Sequence, residues 1–487
     1  MRGAAHVERV AAAVIGASAV VAVPGLASAL AADAGVSTEQ PAREGGSPFL
    51  FENAARWSAE RQDSVHLTLE ETVRRTVASH PAAGEAVAQV DRSEAGVREL
   101  RATRIPRLTV EGGGTRFQEP MLVAPLHGFD PQSPPQFDRL LVQGRATAAY
   151  TLFDGGARGA RITSGRAGVM VAEAGVAGTT ASLIEGAVRA YVEVRAGREI
   201  VAANEGRVAA LEEERDRSGR MVAAGSAPRV AVLRAEAALA RAVADRAAAV
   251  ADLRRAEADL ARLIGADTDS VRRFSLESVT VPASVAVPDR EALIELAMRS
   301  NPAVEQARAQ VAAAEAGVAE TRAAFWPVLA LNGGYNVFGS GAGDWIGEWQ
   351  AALQVVLPVF TGGARAAAVD RSRAVADGAA AALAHARLVA ASDIDAALAR
   401  LAGARAQVGA LSTAVEQFVA VAEIEALSLL AGAGVQPDYL SAVSDVLDAR
   451  AALTRARSAE VGARIALSRI AGQLDAAWLN GNLEVGR

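Results

Sequence analysis

A short stretch that occurs twice limits the folds open to this sequence. Residues 150–167 read YTLFDGGARGARITSGRA, and residues 357–374 read LPVFTGGARAAAVDRSRA. In both copies an aromatic residue precedes a Gly-Gly-Ala-Arg step and an alanine-rich run. Paired glycines allow the backbone to turn sharply, so the pattern predicts a strand followed directly by a helix. The predicted strand-to-helix joints are Gly155, Gly156, Gly362 and Gly363.

The repetition extends in both directions from these joints. Residues 73–90 are similar to residues 293–311, and the landmarks that follow them keep the same spacing in both copies. The matching landmarks are His80-Pro81 with Asn301-Pro302, and Pro106 with Pro327. Repetition on this scale predicts two tandem copies of one unit. The predicted division is a first unit at 67–266, a linker at 267–288, a second unit at 289–472 and a C-terminal tail at 473–487.

The N-terminus has the three parts of a secretory signal peptide. Two arginines flank the start of a short apolar run, and small residues follow it, which predicts cleavage after Ala29 or Ala31. Residues 1–31 are therefore interpreted as a signal peptide and residues 32–66 as a flexible segment. A buried or membrane helix is the alternative, but the run is shorter than the ~20 residues that a span needs. No later apolar run is long enough, so we expect no transmembrane helix in the mature chain.

Composition restricts both the core and the partners of the protein. Hydrophobic residues make up 51% of the chain, but most are Ala or Val and only 4% of the chain is aromatic. Alanine favours helices and allows them to approach closely, so long packed helices are expected. The net charge of -6 argues against nucleic-acid binding. The absence of cysteine excludes disulfides and the acylated cysteine of a lipoprotein.

Four segments alternate apolar and polar residues. The predicted strands are at about 107–117, 140–153, 328–338 and 347–360, and the second and fourth end at Phe153 and Phe360. In the last strand, Leu353 falls on the apolar face and Gln354 on the polar face. This alternation is typical of outer-membrane strands, which have one face on lipid and the other on water. A half-buried antiparallel sheet alternates in the same way, although the loop-like connections favour the membrane interpretation.

Helical spacing dominates the rest of each unit. Amphipathic stretches at about 68–104 and 289–325 should end near the prolines that precede the strands. After the joints, residues 156–264 and 363–472 predict two long hairpins, whose first helices should reach on the order of 100 Å. The predicted turns of these hairpins contain Gly225 and Pro228 in the first unit, and Gly434 and Pro437 in the second.

The ordered set of features, in duplicate, resembles the TolC-like outer-membrane efflux factors over nearly all of the mature chain. The residues that show this are the His-Pro or Asn-Pro step, the strand pair, LFDGGAR or VFTGGAR, the long helix, and the glycine turn before VLRAEAAL or VLDARAAL. The resemblance implies an α+β membrane protein that forms a homotrimer. Each chain would lend four β-strands to a shared transmembrane β-barrel and its hairpins to a shared α-barrel.

Location and partners follow from the same resemblance. It implies a channel in the cell outer membrane that extends into the periplasm and needs no cofactor. A periplasmic adaptor and an inner-membrane pump would pass drugs, metals or secreted proteins to it. The strands lead independently to an oligomer, because open sheet edges are not tolerated in lipid and four strands cannot close a pore.

The resemblance also places functional regions. It implies adaptor contacts at the two periplasmic turns, and an acidic constriction near a DVLDA-like string, here SDVLDA at 444–449. Asp445 and Asp448 are three residues apart and so share a helix face, with Asp438 as a further candidate. The string lies further from its turn than in the family pattern, and Arg234 replaces the corresponding acid of the first unit. The position of the constriction therefore stays open.

Two other classes of protein compete with the channel. An enzyme is disfavoured because the five histidines are scattered singly, and no metal or catalytic motif such as HExxH or GxSxG occurs. A periplasmic coiled-coil adaptor or scaffold would also be exported and rich in heptads, and it is the alternative. Such an adaptor would show one hairpin flanked by compact β-domains, whereas this sequence shows two hairpins, each preceded by a strand pair.

Overall fold

The computed structural model describes residues 66–123, 136–282, 285–341, 345–431 and 433–486. The predicted signal peptide at 1–31 and all but the last residue of the segment at 32–66 lie outside these ranges. So do the middle parts of the two connections between paired strands, at 124–135 and 342–344.

Both halves of the described chain contain two short helices, a strand pair and a long helical hairpin. The first half forms β1 (His66–Leu67), α1 (Leu69–Ser79), α2 (Pro81–Ala102), β2 (Arg107–Leu122), β3 (Phe137–Phe153), α3 (Ala157–Ala223), α4 (Arg229–Ile264), α5 (Thr268–Arg273), β4 (Ser275–Leu276) and β5 (Ser278–Thr280). The second half forms α6 (Arg290–Ser300), α7 (Pro302–Ala323), β6 (Val328–Ser340), β7 (Trp345–Val356), α8 (Ala364–Leu430), α9 (Gln436–Ile470), α10 (Ala476–Asn482) and β8 (Glu484–Gly486).

The helical stretches predicted at 68–104 and 289–325 are each broken into two helices. The break occurs because a proline disfavours helical backbone in the residue before it, and His80 and Asn301 are extended, with ψ of 128° and 123°. Both residues then cap the following helix. The imidazole Nδ1 of His80 accepts from the N–H of Ala82 at 3.2 Å, and Asn301 Oδ1 accepts from the N–H of Ala303 at 2.9 Å.

The strand pairs of the two halves join into one antiparallel sheet in the order β2-β3-β6-β7. All four strands extend beyond a predicted bound, to Leu122 in β2, Phe137 in β3, Ser340 in β6 and Trp345 in β7. The fourth was predicted wrongly at its end, because β7 stops at Val356 and does not reach Phe360. Val356 lies opposite Val328, the first residue of β6, and the nearby Pro358 has no N–H to donate to a ladder.

The long hairpins have first helices of 67 residues each, α3 and α8, which corresponds to about 100 Å. Pro228 precedes α4, whereas Pro437 lies inside the first turn of α9, which begins at Gln436. The predicted turn at Gly434 to Pro437 is therefore shorter than expected. Proline is tolerated there because the first N–H groups of a helix have no partner within the helix.

The predicted linker and tail contain regular structure. The linker at 267–288 includes α5, β4 and β5, and the tail at 473–487 includes α10 and β8. β1 pairs in parallel with β4, and β5 pairs antiparallel with β8. These two small sheets pack beside the middle of α3, and their residues join the larger of two apolar cores.

Two cores hold the helices together. The larger core collects residues of α1, α3, α4, α5 and α9, and it includes the fully buried side chains of Leu67, Tyr191 and Leu260. The smaller core packs α6, α8 and α9 around Ile394 and Ala297. In α9, buried residues alternate at spacings of four and three, which is the interval of coiled-coil packing, at Ala442, Val446, Ala449, Leu453 and Ala456.

The long helices are apolar enough to resemble membrane spans. Ala157–Ala223 and Ala364–Ser428 each contain an 18-residue window, with mean hydropathy of 1.4 and 1.2. This finding differs from the expectation that no such segment follows the signal peptide. It rests on length and composition alone, and many alanines give a positive hydropathy without bulky side chains.

Candidate functional site

One face of the four-stranded sheet is a continuous apolar band. The register places Leu353 opposite Leu331 and Trp349 opposite Tyr335, all on the same face. Trp349 is 76% exposed and Leu353 is 64% exposed in the single chain. A patch of this kind needs lipid or another protein to cover it. Its members across the four strands include Leu108, Val110, Ala146, Tyr150, Leu331, Tyr335, Trp349, Leu353 and Val355.

The opposite face is polar and carries a row of charges that the sequence analysis missed. Glu111 lies opposite Arg145, Arg145 opposite Asn336, and Asn336 opposite Glu348, so one row crosses all four strands. Arg145 Nε donates to Asn336 Oδ1 at 2.9 Å. The alternation places each of these residues on the polar face, but only the register shows that they are neighbours.

Aromatic residues gather where the sheet meets the helices. The rings of Phe153 and Trp326 make an edge contact with centroids 6.5 Å apart, and the guanidinium of Arg365 lies 5.0 Å from the ring centroid of Phe325. Aromatic girdles of this type mark the edges of the apolar band in membrane strands. Trp345 lies at the other end of the sheet and packs over Gly339.

The glycine joints lie at these aromatic residues. Gly155, Gly156, Gly362 and Gly363 have φ of 66°, 91°, 58° and 84°, which favours glycine at all four positions. At Gly155 a Cβ would also lie 2.7 Å from the backbone oxygen of Ala323 and from the Cβ of Trp326. The joint in the first half is therefore restricted both by its conformation and by the close approach of α7.

Polar contacts connect the hairpins of the two halves along the antiparallel helices α3 and α9. Glu185 forms an ion pair with Arg469, and Glu199 Oε2 accepts from the hydroxyl of Thr454 at 3.1 Å. The third contact joins Arg207 Nη1 to Asp448 Oδ1 at 3.2 Å. The local sequence does not indicate that Arg207 connects the two hairpins, because its partner Asp448 is 241 residues away.

The structure separates the three acids that were candidates for a constriction. Asp448 is paired with Arg207, on the side of α9 that faces α3. Asp438 and Asp445 are exposed, and neither carboxylate forms an ion pair or hydrogen bond within the described part of the chain. They are seven residues apart, which puts them on one face of α9, two turns from each other.

The turns at the far ends of the hairpins expose apolar side chains. Gly225 has φ of 70°, and a Cβ added there would meet no atom within 4 Å. Pro228, Gly434 and Pro437 lie in or beside the turns, at the ends furthest from the sheet. The exposed apolar residues near the turns are Met221, Val230, Leu233, Ile424, Leu427 and Val435.

Within the described ranges, no group of three or more histidine, cysteine, aspartate or glutamate side chains could hold a metal ion. The prediction that the protein binds neither metal nor cofactor is not tested by this observation. The features that remain for function are the two faces of the sheet, the long hairpins and their turns.

The sequence model of the outer membrane efflux protein family matches residues 72–266 and 293–473. The chain belongs to this family. The predicted resemblance to TolC-like efflux factors is thereby confirmed, and so is the predicted fold class. No curated protein matches the sequence.

Solved outer-membrane channels have the same fold as this efflux protein. VceC of Vibrio cholerae is 18% identical with a TM-score of 0.67, over 83% of this chain and 96% of VceC. CmeC of Campylobacter jejuni is 16% identical with a TM-score of 0.69, over 85% and 88% of the two chains. MtrE of Neisseria gonorrhoeae, solved in an open state, is 20% identical with a TM-score of 0.68, over 83% and 88%.

Membership in the family establishes the general function. The protein is an exit duct of an efflux system in the outer membrane, and it extends into the periplasm. The family consists of channels and not of enzymes. The alternative of a periplasmic adaptor or scaffold was wrong, and the two hairpins, each preceded by a strand pair, agree with a channel.

Proposed function

We propose that the efflux protein works as a homotrimer in which three four-stranded sheets close one twelve-stranded transmembrane barrel. The observation that supports this most is the sheet, which has an exposed apolar face and two edge strands, β2 and β7, that pair on one side only within the described chain. Unpaired edge groups are not tolerated in lipid, so the edges need partners from other copies. Three chains give an even strand number, which suits a membrane barrel.

The long helices support the same assembly. α8 leaves large apolar side chains exposed along its length, among them Leu388, which is 71% exposed. A shallow groove between α7 and α8 is lined mainly by alanine, glycine and serine, which allow close approach of a helix from a neighbouring chain. The groove residues are Gln310, Ala313, Ala314, Gly317, Ser372, Val375 and Ala379. In the trimer these surfaces would pack into one α-barrel.

The ends of the channel have separate roles in this proposal. A periplasmic adaptor contacts the two turns around Gly225 and Gly434, where exposed apolar side chains and close-approach glycines present a surface. An inner-membrane pump delivers the substrate through that adaptor. Asp438 and Asp445 form the acidic constriction, with Asp448 held to one side by Arg207. The protein has no catalytic activity and no nucleic-acid partner.

The absence of cysteine in the natural sequence allows a direct test of barrel closure. Pairs of cysteines, one in β2 and one in β7, are scanned along both strands in the full-length protein, which is then oxidised in outer membranes. Because the two edges meet only between chains, some pairs should give disulfide-linked dimers and trimers on non-reducing gels. Matched cysteine pairs, with one residue in β2 and one in β6, serve as the control. These strands are not neighbours in the sheet, so the control pairs should give no disulfide-linked dimers or trimers.

The outcomes distinguish the assembly from its alternatives. Heat-modifiable trimers in the outer-membrane fraction, with crosslinks that follow one consistent register, would support the proposal. A monomeric protein in the soluble periplasmic fraction, or crosslinks that never exceed dimers, would contradict it.

A further inference from the structure

The two rows that flank the charged row on the polar face of the sheet carry no ionisable side chain. The adjacent row on one side consists of Thr109, Thr147, Gly334 and Gln350, and the row on the other side consists of Gly113, Gln143, Phe338 and Ile346. None of these eight residues is ionisable. Glu111, Arg145 and Glu348 are therefore the ionisable residues of these three rows, in the middle of the strands.

We propose that Glu111, Arg145 and Glu348 determine the charge selectivity of the exit pore, which favours cationic substrates over anionic ones. The inference rests on the proposed trimer, in which the polar face lines the lumen. Two carboxylates and one guanidinium leave one net negative charge per chain, and three chains place three net negative charges inside the barrel. Charged side chains that line a pore select permeating ions by sign.

The hydrogen bond of Arg145 limits how far it neutralises the row. Its Nε is held at 2.9 Å from Asn336 Oδ1, and Asn336 is 8% exposed, so the guanidinium is directed toward β6. Within the described residues, no ion pair or side-chain hydrogen bond joins Arg145 to Glu111. The Glu111 carboxylate is exposed on β2 and stays available to attract cations in the lumen.

The dimensions of the barrel bring these charges close to the permeating molecule. Twelve strands about 4.8 Å apart and tilted by about 40° enclose a backbone radius of roughly 12 Å. Inward side chains then lie within about one Debye length of the axis at 0.1 M salt, where that length is roughly 10 Å. Because rows run perpendicular to tilted strands, the charges form three inclined strips.

The test measures the ratio of cation to anion permeability of the full-length trimer in planar bilayers, under a KCl gradient at low ionic strength. All variants also carry Asp438→Asn and Asp445→Asn, so that acids at the periplasmic end do not mask the barrel. The set comprises Glu111→Gln, Glu348→Gln, the combination of both, and Arg145→Gln. Glu119→Gln is the matched control, since it removes the same charge near the outer end of β2, where Glu119 pairs with Arg139 at 3.7 Å.

Glutamine in place of the glutamates and glutamine in place of Arg145 should shift the permeability ratio in opposite directions. Either single glutamine variant should lower the permeability ratio by roughly threefold, and the double variant should reverse the preference to anions. Arg145→Gln should raise the ratio, and Glu119→Gln should leave it nearly unchanged. The differences should shrink in 1 M KCl, where the Debye length is about 3 Å. If Arg145→Gln fails to assemble, Gln350→Lys provides a second test, because it adds a positive charge to the adjacent row and should lower the ratio.

Failure of this inference can be separated from failure of the proposed trimer. Channels that conduct and show the same permeability ratio in all variants would overturn the role of the row and leave the trimer standing. A parent protein that forms no trimers and no channels would overturn both. A reversal of selectivity in the double variant, with the control unchanged, would support the inference.

Discussion

Tyr191 connects three parts of the chain through one buried hydroxyl group. The hydroxyl donates to the backbone oxygen of Leu67 at 3.0 Å and accepts from the backbone N–H of Glu277 at 2.8 Å. The residue is fully buried, and its burial raises the pKa of the phenol to about 12. The buried phenol is therefore held neutral, and its ionisation should work against the fold.

The first prediction concerns the titration of this phenol. The folded pKa of about 12 exceeds the ordinary value of 10, so the folded state holds the proton more tightly than the unfolded state. The resulting stability is present below pH 10 and is lost as the pH rises through 12, up to about 3 kcal/mol. Absorbance of the phenolate should show one tyrosine that ionises near pH 12, and Tyr191→Phe should remove it. A titration unchanged in Tyr191→Phe would contradict the assignment.

The residues before the two paired prolines offer a second prediction. Asn301 caps α7 and also donates from Nδ2 to the backbone oxygen of Ile470 at 2.8 Å. His80 caps α2, but histidine is a weaker N-cap residue than asparagine. His80→Ala should lower the free energy of unfolding by about 1 kcal/mol, and His80→Asn should leave it unchanged or raise it. Thermal unfolding of trimers purified in parallel would measure both, and equal losses in the two variants would argue against a capping role.

At the scale of an element, the facing of β7 determines which substitutions the sheet tolerates. Leu353→Arg would place a charge in the apolar band and should cost about 2 to 4 kcal/mol near the bilayer midplane. Gln354→Arg should be mild, because its side chain lies on the polar face. The comparison is the yield of folded trimers in the outer membrane. Equal yields from the two variants would contradict the assignment of Leu353 to the apolar face and Gln354 to the polar face.

The hairpin turns give a prediction about partners. Gly225→Trp and Gly434→Trp should leave trimers intact but abolish export, because a bulky side chain at the turn blocks close approach of an adaptor. Gly225→Asn is the control, since asparagine adopts positive φ more readily than other residues. Export assays and crosslinking to the adaptor measure the two effects. Crosslinks that persist unchanged in both tryptophan variants would place the contact elsewhere.

In the whole molecule, two charged regions lie in series along the proposed pore. The row on the sheet is at one end, and the acids of α9 are near the other, beside the contact of Arg207 with Asp448. Threefold symmetry would gather Asp438 and Asp445 into a narrow acidic ring if their face of α9 looks inward. Such a ring attracts cations because like charges gathered in a narrow space create a strong local negative potential.

This arrangement predicts different effects for acids of the same helix. Asp438→Ala with Asp445→Ala should weaken cation selectivity and block by multivalent metal ions in planar-bilayer recordings. Asp448→Ala should remove the contact of Arg207 with α9 and leave Arg207 paired with Asp245 of α4, so it should change the contact between hairpins more than the selectivity. Unchanged selectivity and metal block in the double variant would move the constriction to other residues.

The type of each element was accessible from the sequence because it depends on local spacing. Alternation of period two, helical spacing, prolines and glycine pairs are properties of neighbouring residues, and they led to the family and the fold class before any contact was known. Element ends were less accessible. β7 stops at Val356 because its partner β6 begins at Val328, and this is a fact about pairing between strands.

Contacts between residues that are far apart in the sequence became visible only in the folded structure. Periodicity shows which face a side chain occupies, but a row such as Glu111 with Arg145 exists only once the register of the strands is set. Arg207 and Asp448 are 241 residues apart and meet because α3 and α9 run antiparallel side by side. Local sequence therefore specified the helices, strands and joints, whereas long-range packing selected the partner of each charge, because an ion pair needs two groups within about 4 Å in space and not along the chain.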